Sequence, residues 1–90
     1  MPEIRLTGTM TCPPERADAI RAALPEHIRL TRAEPGCLAF EVSETAPGVF
    51  SVAERFTDRA AFEAHQRRTL ARDWARVTAD CPRDYEVTQA

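Results

Sequence analysis

The stretch that most constrains this chain is its middle third, where Glu34-Pro35-Gly36-Cys37 closes a helical pattern and opens an alternating strand, Leu38-Ala39-Phe40-Glu41-Val42. Proline disfavours helical backbone in the residue before it, and glycine readily takes the left-handed position that ends a helix. The helix must therefore be over by Glu34. A second strand, Val49 to Phe56, runs directly into Thr57-Asp58-Arg59-Ala60-Ala61-Phe62-Glu63-Ala64-His65. Asp58 is the N-cap there, because its carboxylate can accept from the free N–H groups of the first helical turn.

The flanking segments complete the order of elements. Ile4, Leu6, Gly8 and Met10 alternate with Arg5, Thr7, Thr9 and Thr11, the period-two pattern of a strand with one face in the core. After Pro13-Pro14, the residues Ala17, Ile20, Leu24, Ile28 and Thr31 recur at helical spacing, which predicts one amphipathic helix over 14–33. Pro25 lies inside it and predicts a kink, since proline removes one hydrogen bond and crowds the carbonyl four residues back. Ala46-Pro47-Gly48 marks a hairpin with a loop of about four to five residues. Leu38, Phe40 and Val42 are expected on one strand face, and Phe50, Val52, Glu54 and Phe56 on one face of the next. A second helical segment carries Leu70, Trp74 and Val77 and ends near Cys81-Pro82, and a short strand through Tyr85-Glu86-Val87-Thr88 comes last.

Strand, helix, strand, strand, helix pair, strand is the split βαβ pattern of a ferredoxin-like α+β fold with a four-stranded antiparallel sheet. Residues 1–90 are read as a single domain, being too few for two hydrophobic cores. With the helices on one face, the other face is bare. Val49, Ala53, Ala39 and Cys37, or the opposite set, would form an exposed apolar patch there, so a face-to-face homodimer is expected.

Charge and cysteine usage narrow the function classes. A formal net charge of −2 provides no basic excess for nucleic acid, and the Arg67-Arg68 pair reads as a solvated helix face. Cys12, Cys37 and Cys81 are an odd number without a C-x-x-C pair, so neither a disulfide framework nor a zinc or other metal site is expected. No apolar run approaches the length of a membrane span, and the N-terminus lacks a signal-peptide core. The expected setting is reduced and cytoplasmic, with neither membrane nor nucleic-acid partners.

Arg32-Ala33-Glu34-Pro35-Gly36-Cys37, Phe40-Glu41-Val42, Glu54 and Ala61-Phe62-Glu63-Ala64-His65 together resemble the antibiotic biosynthesis monooxygenase family, small dimeric α+β barrel proteins. The resemblance covers nearly the whole chain. It implies a pocket between sheet and helix pair for a small aromatic, phenolic or quinol ligand. It also implies oxygenation without metal, flavin or other cofactor, because the deprotonated substrate itself reduces dioxygen. Such chemistry asks for a base, a donor for the developing oxyanion, and dry apolar walls.

His65 is the candidate base, the one histidine in the family's motif, with an ordinary pKa near neutrality. The competing reading has it packed at a helix end, bonded to a backbone carbonyl. Trp74, Phe62 and Phe56 are candidate walls, Trp74 also being plain core at its spacing from Leu70 and Val77. Glu54 is a semi-buried carboxylate that needs a partner, read as an arginine or a backbone cap, and otherwise a pocket residue. Arg55 could hold an anion or face an interface, and Thr7 could offer its hydroxyl to a ligand if its face is the pocket face.

The haem-degrading members of the family use an asparagine, a tryptophan and a ligating histidine, and the register that aligns them puts Ile4, His65 and Trp74 at those positions. Haem degradation is not expected. The chain contains no asparagine at all, whereas the anthrone oxygenases of the family use one. Two alternatives therefore stand beside the monooxygenase: a non-catalytic dimer that binds a small apolar ligand, and an isomerase or decarboxylase using the same base without dioxygen.

Overall fold

The computed structural model describes residues 2–89. Strands β1 (Ile4–Thr11), β2 (Cys37–Ala46), β3 (Val49–Phe56) and β4 (Arg83–Gln89) form one antiparallel sheet in the order β2-β3-β1-β4. Helices α1 (Ala17–Arg32), α2 (Arg59–Leu70) and α3 (Asp73–Val77) complete the ferredoxin-like α+β arrangement. Alternation decides which face they cover. Ile4, Leu6 and Met10 of β1, Phe40 of β2 and Phe50, Val52, Glu54 and Phe56 of β3 are all buried on the helix side. Their neighbours Arg5, Thr7, Thr9, Ala53 and Arg55 are exposed on the other.

Several expectations are corrected by local geometry. The first helix begins as a 3₁₀ turn over Pro14–Arg16 and becomes α-helical only at Ala17. The helix is not split at Pro25, in keeping with the single helix expected there. The hairpin loop is only Pro47 and Gly48, because β2 extends to Ala46 and β3 starts at Val49. β4 is longer than Tyr85 to Thr88, spanning Arg83–Gln89.

Of two register shifts in β2, the one after Cys37 matters more. Cys37 pairs with Phe56 and Ala39 with Arg55, so Leu38 is an extra residue with no partner opposite it. This shifts the alternation by one. Cys37 turns inward against the cluster of Ile4, Phe56 and Phe62, and Leu38 is left 49% exposed instead of sharing a face with Phe40 and Val42. The uncovered sheet face is accordingly less apolar than expected, since Cys37 has left it and Arg55 bonds Glu3 there at 2.8 Å.

Leu70 is likewise 78% exposed. The buried stripe of α2 runs through Phe62 and His65, and Leu70 lies off it at the helix end, before the chain turns through Ala71 and Arg72 into α3. Two apolar clusters fill the inner face, one around Met10, Ile20, Phe50 and Trp74 and one around Leu6, Val52, Phe56 and Phe62. Val42 and Tyr85 pack against both, and a cavity lies where the clusters meet. Cys12, Cys37 and Cys81 are free thiols. No helix of the described residues is long and apolar enough to cross a membrane.

Candidate active site

The site is assembled by the two helix boundaries that the sequence marks. After α1 the chain reverses at Gly36, which holds φ at +85° and passes so close to α2 that a Cβ there would stand 2.6 Å from that of Ala61. The Gly36 carbonyl accepts from the Thr57 N–H at 2.9 Å, tying the end of α1 to the start of α2. One residue later Asp58 Oδ1 caps α2 by accepting from the Ala61 N–H at 2.8 Å. Together these contacts bring Glu34 against the side of α2 that carries His65 and Arg68.

Glu34 is buried and accepts three hydrogen bonds: from His65 Nδ1 at 3.0 Å, from Arg68 at 2.9 Å and from Arg72 at 2.9 Å. Burial by itself would raise its pKa, but the hydrogen bonds from His65 and Arg68 and the charge of Arg72 outweigh burial and hold it below the ordinary value. An ionised Glu34 can only accept, so Nδ1 of His65 carries the proton. For His65, burial lowers the pKa against the upward pull of Glu34, and the net shift is downward. The ring is thus neutral at pH 7, with Nε2 as its acceptor nitrogen.

Nε2 faces Thr69 Oγ1 at 3.5 Å and Glu54 Oε1 at 3.8 Å. Glu54 Oε1 is buried without a hydrogen-bond partner. Burial, and secondarily the negative charge of Glu34, push the Glu54 carboxyl up to about 7. The expected arginine or backbone cap for Glu54 is not found among the described residues, and Arg68 and Arg72 pair with Glu34 instead. Phe56 stacks on His65 at 5.0 Å between ring centroids, and Phe40 meets it edge-on at 5.8 Å. An imidazole and a carboxyl therefore meet inside a buried, aromatic surround.

The cavity measures about 230 Å³, and His65, Glu54 and Trp74 all line it. Leu6, Met10, Phe40, Val42 and Val52 form the apolar walls, with Thr69, Tyr85 and Arg83 at its polar margin. Tyr85 reaches over β1 because the residue beneath it is Gly8, where a Cβ would stand 2.9 Å from the tyrosine ring. Phe62 and Phe56 sit in the apolar cluster behind the cavity, where Phe56 supports the imidazole of His65. Arg55 and Thr7 do not reach it. Both alternate onto the uncovered sheet face, where Arg55 pairs with Glu3 and Thr7 lies opposite Ala53 and Glu86.

Four contributors are not marked by local sequence pattern. In the sequence Glu34 marks a helix end and belongs to the family's motif without a chemical role, and Arg68 reads as part of a solvated pair. Arg72 and His27 drew no role. The three-residue spacing of His65 and Arg68 was the available signal, since it puts both on one side of α2, whereas Arg72 lies past the helix end, in the turn before α3. His27 is buried and stacks on Trp74 at 4.7 Å with the rings 5° from parallel. Burial, with smaller effects from His65 and Arg72, lowers its pKa to about 4. Among the described residues, no group of three or more His, Cys, Asp or Glu side chains is arranged to hold a metal ion.

A sequence model of the antibiotic biosynthesis monooxygenase family matches residues 4–77. The chain belongs to this family. The matched span contains every residue of the Glu34, His65, Glu54 and Trp74 constellation. No curated protein matches the sequence. Among solved structures, a protein of unknown function from Nitrosomonas europaea superposes with a TM-score of 0.81 at 24% identity, over 100% of this chain and 90% of that one. A candidate antibiotic biosynthesis monooxygenase from the same organism gives 0.83 at 19% identity, over 98% and 89%. Another, from Deinococcus radiodurans, gives 0.70 at 26% identity, over 97% and 89%. The fold of the antibiotic biosynthesis monooxygenases is thus common to all four proteins, and the chain is monooxygenase-like at the level of its family.

Proposed function

We propose that the protein is a cofactor-independent monooxygenase acting on a small phenolic or quinol substrate, with His65 as the general base. The observation that carries this reading is the hydrogen bond from His65 Nδ1 to buried Glu34 at 3.0 Å, which leaves Nε2 as a lone-pair acceptor beside an apolar cavity. In the reaction, a substrate hydroxyl gives its proton to Nε2. The resulting anion reduces dioxygen: one oxygen atom bonds to a ring carbon, the other leaves as water with the two hydrogens the substrate gives up, and the product is the quinone, so the substrate supplies every electron. Apolar walls favour the reaction by keeping bulk water from the anion. Trp74 borders the substrate, and Glu54 holds a proton next to the base.

The site works within a homodimer in this reading. Leu38, at 49% exposure beside the uncovered sheet face, supports an apolar contact between copies. Oxygen uptake measured with naphthoquinols and anthrones tests the proposal. Turnover is expected in the unmodified protein, and a drop of about 10²-fold or more is expected in His65→Ala. Equal rates in the two proteins would remove His65 from the mechanism.

One observation favours a second reading. Glu54 at about 7 and a neutral His65 form an acid and a base 3.8 Å apart, the pairing that proton-transfer isomerisation uses. Turnover that persists under argon would select the isomerase over the oxygenase.

A further inference from the structure

The cavity contains a polar atom that the reaction above does not use. His27 comes from the middle of α1, is 4% exposed and lines the same cavity as His65 and Glu54. Its Nδ1 is buried with no hydrogen-bond partner. A buried polar atom left unpaired is destabilising, so a residue retained in that state calls for a partner that arrives later. The surroundings limit where that partner can come from. One ring face is covered by Trp74, stacked at 4.7 Å, and Phe40 packs edge-on at 5.4 Å. His65, at 6.2 Å between centroids, has its own Nδ1 committed to Glu34. Packing around His27 is thus aromatic, and the ring borders two hollows, the cavity it shares with His65 and Glu54 and a smaller one of about 130 Å³ beside Glu26, Leu30 and Arg72.

We propose that His27 is a specificity-determining residue, whose unpartnered imidazole nitrogen hydrogen-bonds a second polar group of the ligand while Glu54 and His65 engage the first. Two anchors set apart on an apolar wall select a ring bearing two polar substituents over one bearing a single hydroxyl. This assignment rests on reading the cavity as a site for a small hydroxyarene. The Trp74 stack holds the imidazole plane in place, so the nitrogen is oriented before the ligand arrives.

Isothermal titration under argon with 1-naphthol, 1,4-naphthalenediol and 1,5-naphthalenediol tests it, because binding is read without turnover. At least one diol is expected to bind the unmodified protein about tenfold tighter than 1-naphthol. In His27→Phe that preference should fall to about twofold or less, with 1-naphthol affinity retained. His27→Gln, which keeps a polar atom, should restore part of it. Thermal melting separates this role from a structural one: His27→Phe is expected to melt no lower than the unmodified protein, having lost an unpaired buried atom while keeping an aromatic ring against Trp74. If phenylalanine does not fit, His27→Met carries the same binding expectation. Diols and naphthol binding alike, or a preference that survives in His27→Phe, would overturn the assignment of His27 alone. Absence of binding by all three compounds would overturn the hydroxyarene reading and this inference together.

Discussion

Glu34 Oε2 and His65 Nδ1 lie 3.0 Å apart although 31 positions separate them in the chain. The contact joins the C-terminal end of one helix to the middle of the next, and both residues are almost wholly buried. Its chemical effect is to choose a tautomer. An acceptor at Nδ1 puts the proton there and leaves Nε2 free, which is the form a general base needs.

Replacing Glu34 by Gln should therefore reduce turnover with little change in substrate binding. A neutral amide can donate as well as accept, so the ring loses its tautomer preference. A fall in kcat of about 10²-fold is expected at nearly constant KM. Nitrogen NMR of the imidazole is the direct check, and a His65 that stays protonated at Nδ1 in Glu34→Gln would defeat the prediction.

Glu54 makes stability depend on pH in an unusual direction for a carboxylate. Its folded pKa is raised from 4.5 to about 7, so across that window the folded chain holds a proton that the unfolded chain has released. The contribution of Glu54 is greatest below 4.5 and is lost as pH rises through about 7. Glu54→Gln should remove the loss and gain about 3 kcal/mol on the unmodified protein between those limits. Urea unfolding of both proteins across that pH range measures the difference, and parallel curves would show that Glu54 titrates normally.

His27 gives the opposite sign. Its folded pKa is lowered from 6.5 to about 4, so its contribution is fully present above 6.5 and is lost as pH falls toward 4. Because His27 stacks on the chain's one tryptophan, the event has its own optical signal. Trp74 emission should hold steady on acidification to about 5 and drop near 4 as a charged imidazole forms against the indole. His27→Phe should abolish that step.

Gly36→Ala should damage both stability and the site. Its φ of +85° strains any side chain, and the new Cβ would overlap Ala61 at 2.6 Å. A loss of about 2 kcal/mol or more in denaturant unfolding is expected, with weakened contact between Glu34 and α2. Unchanged stability would mean that the turn can relax without moving α2.

Much of the architecture was legible because it rests on local rules. Gly36 and Asp58 announced the helix boundaries through backbone preference and capping, and alternation put Phe50, Val52, Glu54 and Phe56 on one buried face. Local rules also failed in identifiable places. The unpaired Leu38 reversed the phase of Cys37, and nothing in the run Cys37-Leu38-Ala39 distinguishes a bulge from regular pleating. Arg68 looked solvated because the carboxylate that recruits it belongs to another helix.

By itself, then, the sequence determined the order of elements, the family, and that a histidine and a carboxylate would lie on core-facing sides of their elements. Only the tertiary structure decided what those groups do. Proton affinity and tautomer depend on burial and on charges a few ångströms away in space, and those neighbours, Glu34 to His65 and Trp74 to His27, come from segments that only the packed fold brings together.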